Sequence, residues 1–413
     1  MGRRCLVLSA SMGAGHDAVA RELARRLRAA GHEVLVQDVL TLLPPSIGRA
    51  TRGFYRFVVR RLPAVYEAIY ALFLAPRPRP RRGLDVSPMA AMAERRLGAL
   101  VERWRPDVIV STFHLAAQIT GRMRARGALR VPCAVFVTDF AVHRAWLDPG
   151  NDLYLCVTQT AARTAREGTG RTAVATGPVV PPEFGRPDRA GPDHAARGQA
   201  GPDDAGWGQA GPDQGRAGDA EADHARAGDA GRAAGSAWRG AVAGAGAGAG
   251  GRPVVVLSGG AWGVGAGLLR TAGALARHGF LPVLLCGRDV GLRRRAARLP
   301  GVLALGWVDD LPELMASARV LIDNAAGQTA VQALAAALPV VGYRPIPGHG
   351  AVGVREMAAE GLTRYAEDLG ELLSAAGALA RPGHARERQV AAGSALFRHD
   401  AARLVAELAE RGG

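Results

Sequence analysis

Twice in this chain a short apolar run is followed by a glycine-bearing turn and then by a helical pattern. Cys5-Leu6-Val7-Leu8 leads through Ser9-Ala10-Ser11-Met12-Gly13-Ala14-Gly15-His16 into a segment where Val19, Leu23 and Leu27 recur every four residues. Arg252–Ser258 leads through Gly259-Gly260-Ala261-Trp262-Gly263-Val264-Gly265 into a helix that runs to Arg277. Strand, turn and helix in that order restrict the chain to parallel sheets with crossover helices, because parallel neighbours cannot be joined by hairpins. The same order puts backbone N–H groups and the positive end of a helix dipole at the carboxyl edge of a sheet, where polar and anionic ligands bind. Such a turn can also serve only to pack helix on strand. His16, an imidazole just past the first turn, is either a helix cap or a general base within reach of a bound ligand.

Further strands are predicted at Glu33–Val39, Pro106–Thr112, Pro132–Asp139 and Asp152–Val157, and in the second half at Leu281–Cys286, Val302–Leu305, Val320–Asp323 and Pro339–Tyr343. The chain of 413 residues therefore divides into two α/β domains. The boundaries expected are 1–184 for the first domain, 185–251 for a linker and 252–413 for the second, C-terminal helices included. The linker collapses to Gly, Ala, Asp, Arg and Pro, with Ala-Gly-Pro-Asp at 190–193, 200–203 and 210–213. It holds too little apolar surface to offset ordering entropy and is expected to be disordered. In the first domain Ser111, Thr112, His114, Thr138 and Asp139 end strands, with His143 and Trp146 following; such polar residues are either simple caps or, for His16, His114, Asp139 and His143, a group converging on one rim.

The net charge is +15, carried by arginine alone, since the sequence contains no lysine. That pattern fits either a GC-rich coding bias or attraction to anionic lipid or nucleic acid. With six tyrosines and no ordered basic–aromatic motif, nucleic acid is not expected as a partner. Phe54 to Leu74 interleaves aromatic and aliphatic residues with Arg56, Arg60 and Arg61, and Pro76–Arg82 follows as a basic, extended loop. Residues 54–82 are thus either an element that meets an anionic membrane surface or a helical hairpin, broken at Pro63, packed on the first domain with a solvated linker after it. Cys5, Cys133, Cys156 and Cys286 have no paired spacing and read as buried thiols of a reducing compartment. No run of about 18 apolar residues occurs, and the expected location is cytoplasmic, peripheral to the inner face of the cell membrane.

The second turn lacks the Gly-Lys-Ser/Thr of a P-loop and misses the dinucleotide spacing, which removes support for nucleotide hydrolysis and for NAD. Taken in order, Ser11–His16, Thr138-Asp139-Phe140 with His143 and Trp146, Thr176-Gly177-Pro178-Val179, Gly259-Gly260 with Gly263, Gly327 with Thr329, and Leu338-Pro339 with Pro345-Ile346-Pro347-Gly348 resemble one family. It is the GT-B family of monogalactosyldiacylglycerol synthases and processive diacylglycerol glucosyltransferases, related to the lipid II-forming N-acetylglucosaminyltransferase.

The resemblance implies two Rossmann-like domains facing a cleft, the second binding a UDP-sugar and the first a lipid acceptor, with inversion at the anomeric carbon. It implies catalytic roles for His16 and Asp139, with His16 either the base that activates the acceptor or a ligand for the acceptor or lipid headgroup, and acceptor or lipid contacts from Gly13, Gly15, His114, His143 and Trp146. Donor contacts are implied for Gly259, Gly260, Gly263, Gly327, Thr329 and Gln332, with no metal or other cofactor. Asp309-Asp310 is then a helix start. This chain departs from the family on the donor side: Gln332 stands where a ribose-binding glutamate is usual, Ala326 at a common glycine position, and His349 and Gly353 in place of a glutamine and a downstream asparagine. A degenerate protein that binds lipid or nucleotide without transfer is the alternative reading, as is a transferase acting on a lipid-linked cell-wall precursor or a small molecule.

Overall fold

Strands buried on both faces read as continuous apolar runs, and here they assemble into two separate parallel sheets of six strands each. The computed structural model describes residues 2–75, 88–185, 238–244, 251–397 and 399–411. The first sheet holds β1 (Arg4–Ser9), β2 (Glu33–Asp38), β3 (Val108–Ser111), β4 (Cys133–Val137), β5 (Leu153–Cys156) and β6 (Thr172–Ala175), in the order β2-β1-β3-β4-β5-β6. The second holds β7 (Val254–Ser258), β8 (Leu281–Leu285), β9 (Leu303–Leu305), β10 (Val320–Asp323), β11 (Val340–Tyr343) and β12 (Arg364–Ala366), in the order β12-β11-β10-β7-β8-β9.

Each order reverses beside its first strand, between β1 and β3 and between β7 and β10, and crevices open at such reversals. The turns after those four strands carry Ser9–His16, Thr112–His114, Gly259–Gly265 and Asn324–Gln328, so chain topology places these four turns at the carboxyl rims of the two sheets. Along β1 the pleat alternates: Cys5 and Val7 join Val19, Leu23 and Leu27 in one core cluster, whereas Leu6 and Leu8 join Leu97, Ile109 and Ile119 in another. Glu22, on the same helix as Leu23, is buried and is held by Arg25 at 2.7 Å and Arg26 at 2.7 Å.

Three sequence expectations are corrected. The sheet edges β6 and β12 were not among the predicted strands, because as partly exposed edges reading Thr-Ala-Val-Ala and Arg-Tyr-Ala they lack the continuous apolar run of a strand buried on both faces. The terminal helix Ala401–Arg411 packs on the helix Gly15–Ala29 and on β3 of the first unit, not with the second domain, because Ala402, Val405 and Ala409 need an apolar face to cover and Arg26 reaches Asp400 at 3.4 Å. Within the linker, residues 238–244 form a helix: Trp238 and Val242 are buried in a core cluster with Leu314 and Met315, and Arg239 pairs with Asp310 and Glu313. The remainder of the linker, 186–237 and 245–250, lies outside the described residues, as does the basic loop from Pro76 to Arg82.

The aromatic segment is helical from Pro45 to Arg61, breaks at Leu62 before Pro63, continues from Pro63 to Ile69 and ends in a π-turn over Tyr70–Leu74. Its inner face, Val58, Val59 and Tyr66 with Tyr55 and Ile69, packs against Val264 and Ile346 of the second unit. The expected hairpin is thus present but spans the cleft instead of covering the first domain alone. Its outer face leaves Phe54, Phe57, Leu62, Val65, Leu72 and Phe73 at 42% to 62% exposure. No helix among the described residues is long and apolar enough to cross a membrane.

Candidate functional site

A cavity of about 670 Å³ lies between the two rims. From the first unit it is lined by Gly13, Gly15, His16 and Asp139, and from the hairpin by Tyr55 and Val59. From the second unit come Gly259, Gly260, Gly327, Thr329 and Gln332, together with Trp262, Trp307 and His349.

Two uncapped helix starts face it. The helix Gly15–Ala29 has no side-chain cap at Ala14, and the helix Gln328–Ala335 has none at Gly327, so the first N–H groups of each are available to an anionic ligand. Thr329 therefore does not cap its helix, and its place at the cavity wall leaves the hydroxyl to a ligand. The turn before it is rigid: the Asp323 carboxylate accepts from the N–H of Ala325 at 2.9 Å and of Ala326 at 2.6 Å. Burial raises the Asp323 pKa, partly offset by those N–H bonds.

His16 Nδ1 lies 3.0 Å from the Thr112 carbonyl oxygen. A carbonyl can only accept, so Nδ1 carries the hydrogen and Nε2 keeps its lone pair. Phe113 stands edge-on to the ring at 5.0 Å. Burial lowers the His16 pKa, opposed by the Asp139 charge and the Thr112 bond, which keeps the imidazole neutral and basic near pH 7. Asp139 Oδ2 accepts from Trp146 Nε1 at 2.8 Å and faces His143 Nε2 at 3.4 Å. Burial would raise the Asp139 pKa, but the hydrogen bond and charge of His143, with the charges of His16 and His349, hold it well below the usual carboxylate range.

The predicted residues do not all reach the cavity. His114, His143 and Trp146 stand behind Asp139 and His16 as a second layer, with the His114 and His143 rings 5.1 Å apart. Burial, first, and then the neighbouring histidines push the His114 pKa well down. Gly263 is a packing glycine: its φ is +64° and a Cβ there would stand 2.8 Å from the Cys286 carbonyl. Asp310 precedes the helix Leu311–Ser317, and Asp309 accepts from Trp307 Nε1 at 3.0 Å. Sequence reasoning missed Tyr55, Tyr66 and Trp307. The rings of Tyr55 and Trp262 meet at 5.8 Å across the cleft, and Tyr66 Oη lies 2.6 Å from His349 Nδ1. Their aromatic spacing was visible as one stripe, but the unit it would pack on was not.

Residues 16–180 match the family described as monogalactosyldiacylglycerol (MGDG) synthase. The chain is 22% identical over 355 residues to a processive diacylglycerol beta-glucosyltransferase of Bacillus subtilis, covering 84% of this chain and 78% of that protein. Among solved structures it is similar to the glycosyltransferase SnogD of Streptomyces nogalater, with a TM-score of 0.58 at 18% identity over 100% of both chains. It is also similar to Anabaena HepE in complex with UDP-glucose, with a TM-score of 0.50 at 14% identity over 99% of this chain and 98% of that one.

Proposed function

The chain belongs to the GT-B glycosyltransferase family of the monogalactosyldiacylglycerol synthases and processive diacylglycerol glucosyltransferases, and from that premise we propose that it moves a hexosyl group from a UDP-sugar to a lipid acceptor, diacylglycerol, with inversion. The observation that carries this reading is one cavity holding both a basic His16 Nε2 and the uncapped start of the helix Gln328–Ala335. His16 Nε2 takes the proton of the acceptor hydroxyl, whose oxygen displaces the diphosphate at the anomeric carbon. The bond from that carbon to the diphosphate oxygen breaks with its electron pair, and N–H groups at Gly327–Thr329 stabilise the charge that develops on the leaving group.

The solved complex of Anabaena HepE with UDP-glucose supports a nucleotide-sugar donor, and the B. subtilis relative supports the lipid acceptor. The outer face of the hairpin, apolar and flanked by arginines, supports peripheral attachment to an anionic bilayer at the inner face of the cell membrane. Two of the donor-side departures are matched to neighbours, Ala326 against Gly353 and His349 against Tyr66, so the donor-side wall stays packed despite them.

The test is a screen of UDP-sugars with diacylglycerol in anionic vesicles, following UDP release. Turnover that His16→Ala removes supports the transferase; UDP binding without turnover on any donor and acceptor pair would favour the degenerate binding protein.

A further inference from the structure

We propose that Thr138 is a positioning residue whose hydroxyl links Asp139 to His16. Three distances carry the inference. His16 Nδ1–H, already fixed as a donor by the Thr112 carbonyl at 3.0 Å, also lies 3.3 Å from Thr138 Oγ1. Thr138 Oγ1 lies 3.3 Å from Asp139 Oδ1. An ionised carboxylate only accepts, so the threonine O–H points to Asp139 and its oxygen lone pair is left for His16. The other carboxylate oxygen is engaged by Trp146 and His143, which leaves Oδ1 to the threonine. The direction of every bond in the chain from Asp139 through Thr138 to His16 is therefore determined.

This rests on His16 being the base. When Nε2 takes the acceptor proton, the ring becomes an imidazolium whose Nδ1–H is already held by the Thr112 carbonyl and by a hydroxyl polarised by Asp139. Thr138 itself neither loses nor gains a proton. The ionisable groups facing His16 are Asp17 and Asp139, which favour its charged form, and His143, which opposes it, with His114 and His349 also near enough to interact with it.

The experiment compares Thr138→Val, which keeps the shape without the hydroxyl, with Thr138→Ser, which restores it, in the full chain. The first readout is the NMR titration of His16 in ligand-free protein. Thr138→Val is expected to lower the proton affinity of His16 by about tenfold, which is one decade of pH, and Thr138→Ser to recover it. The second is transfer kinetics, where kcat should fall in Thr138→Val with donor KM within about twofold, as for a group acting only on the reacting proton. A folded Thr138→Val protein with an unmoved His16 titration overturns the link. If that variant does not fold, Thr138→Ala read the same way decides. Should His16→Ala keep transferase activity while Thr138→Val still shifts the titration, the base assignment fails and the hydroxyl link stands.

Discussion

Gly353 leaves the space that Ala326 fills: a Cβ at position 353 would stand 2.9 Å from the Ala326 Cβ. Ala326 also holds a φ of +50°, a left-handed conformation that costs an alanine about 1 kcal/mol relative to glycine. Two departures from the family pattern are thus one compensated pair beside the donor-side helix start. Gly353→Ala in the native background is expected to cost about 1–3 kcal/mol by overpacking, and much less once Ala326→Gly has removed the opposing methyl. Denaturant unfolding of both single variants and the double variant tests this; additive effects would show the two positions to be independent.

The buried histidines set the acid limit of stability. His16, His114 and His349 are all lowered from the ordinary value, in each case chiefly by burial. Unfolded histidine titrates near pH 6.5, so below that pH the unfolded chain binds more protons than the folded one, and stability is lost as pH falls. Asp139, held low, adds its own loss only as pH falls through the carboxylate range toward its lowered folded value. Thermal unfolding should therefore be flat from pH 8 to about 7 and decline below about 6.5. His114→Gln should make that decline shallower, and an unchanged slope would remove His114 from the account.

The exposed face of the hairpin is expected to be what vesicles bind. Burying a phenylalanine ring contributes about 1.5–3 kcal/mol, so replacing Phe54, Phe57 and Phe73 together with serine should weaken sedimentation with anionic vesicles by at least tenfold. UDP binding should be unaffected, because none of the three lines the cavity. Deleting the hairpin whole would be a poorer probe, since Tyr55 and Val59 would leave the cavity wall with it. Equal sedimentation of the triple variant would refute the membrane role.

What could be read from the sequence was what depends on local order. Strand, glycine turn and helix located ten of the twelve strands and both rims, and polar residues at strand ends located His16 and Asp139. What could not be read depends on contacts between distant segments. Trp238 lies in a stretch whose composition argues against structure, yet one indole and Val242 suffice to dock a short helix on a core already built. The terminal helix carries an amphipathic pattern that says a face is buried but not against which unit. Gly177 shows the same limit: its φ of +82° allows a turn, and the reason for it is the Leu396 backbone, against which a Cβ would collide.

Tyr66 and His349 form a cross-cleft link that the removal of a single atom can test. Tyr66 Oη lies 2.6 Å from His349 Nδ1, their rings meet edge to face at 5.6 Å, and Tyr66 is 5% exposed. Burial, ahead of the neighbouring tyrosines and Asp139, pushes the Tyr66 hydroxyl far up, so it stays a neutral phenol throughout the working range. Tyr66→Phe keeps the ring packing and removes one hydroxyl. The His349 nitrogen then loses its partner inside the cleft, which costs about 1–3 kcal/mol where no water replaces it. Because the bond joins the hairpin to the wall that carries Gly348 and Ile346, part of that loss should appear as weaker UDP-sugar binding, about threefold to tenfold by calorimetry, with the His16 titration unmoved. Unaltered donor affinity in a folded Tyr66→Phe protein would show that the bond stabilises the hairpin without contributing to the donor site.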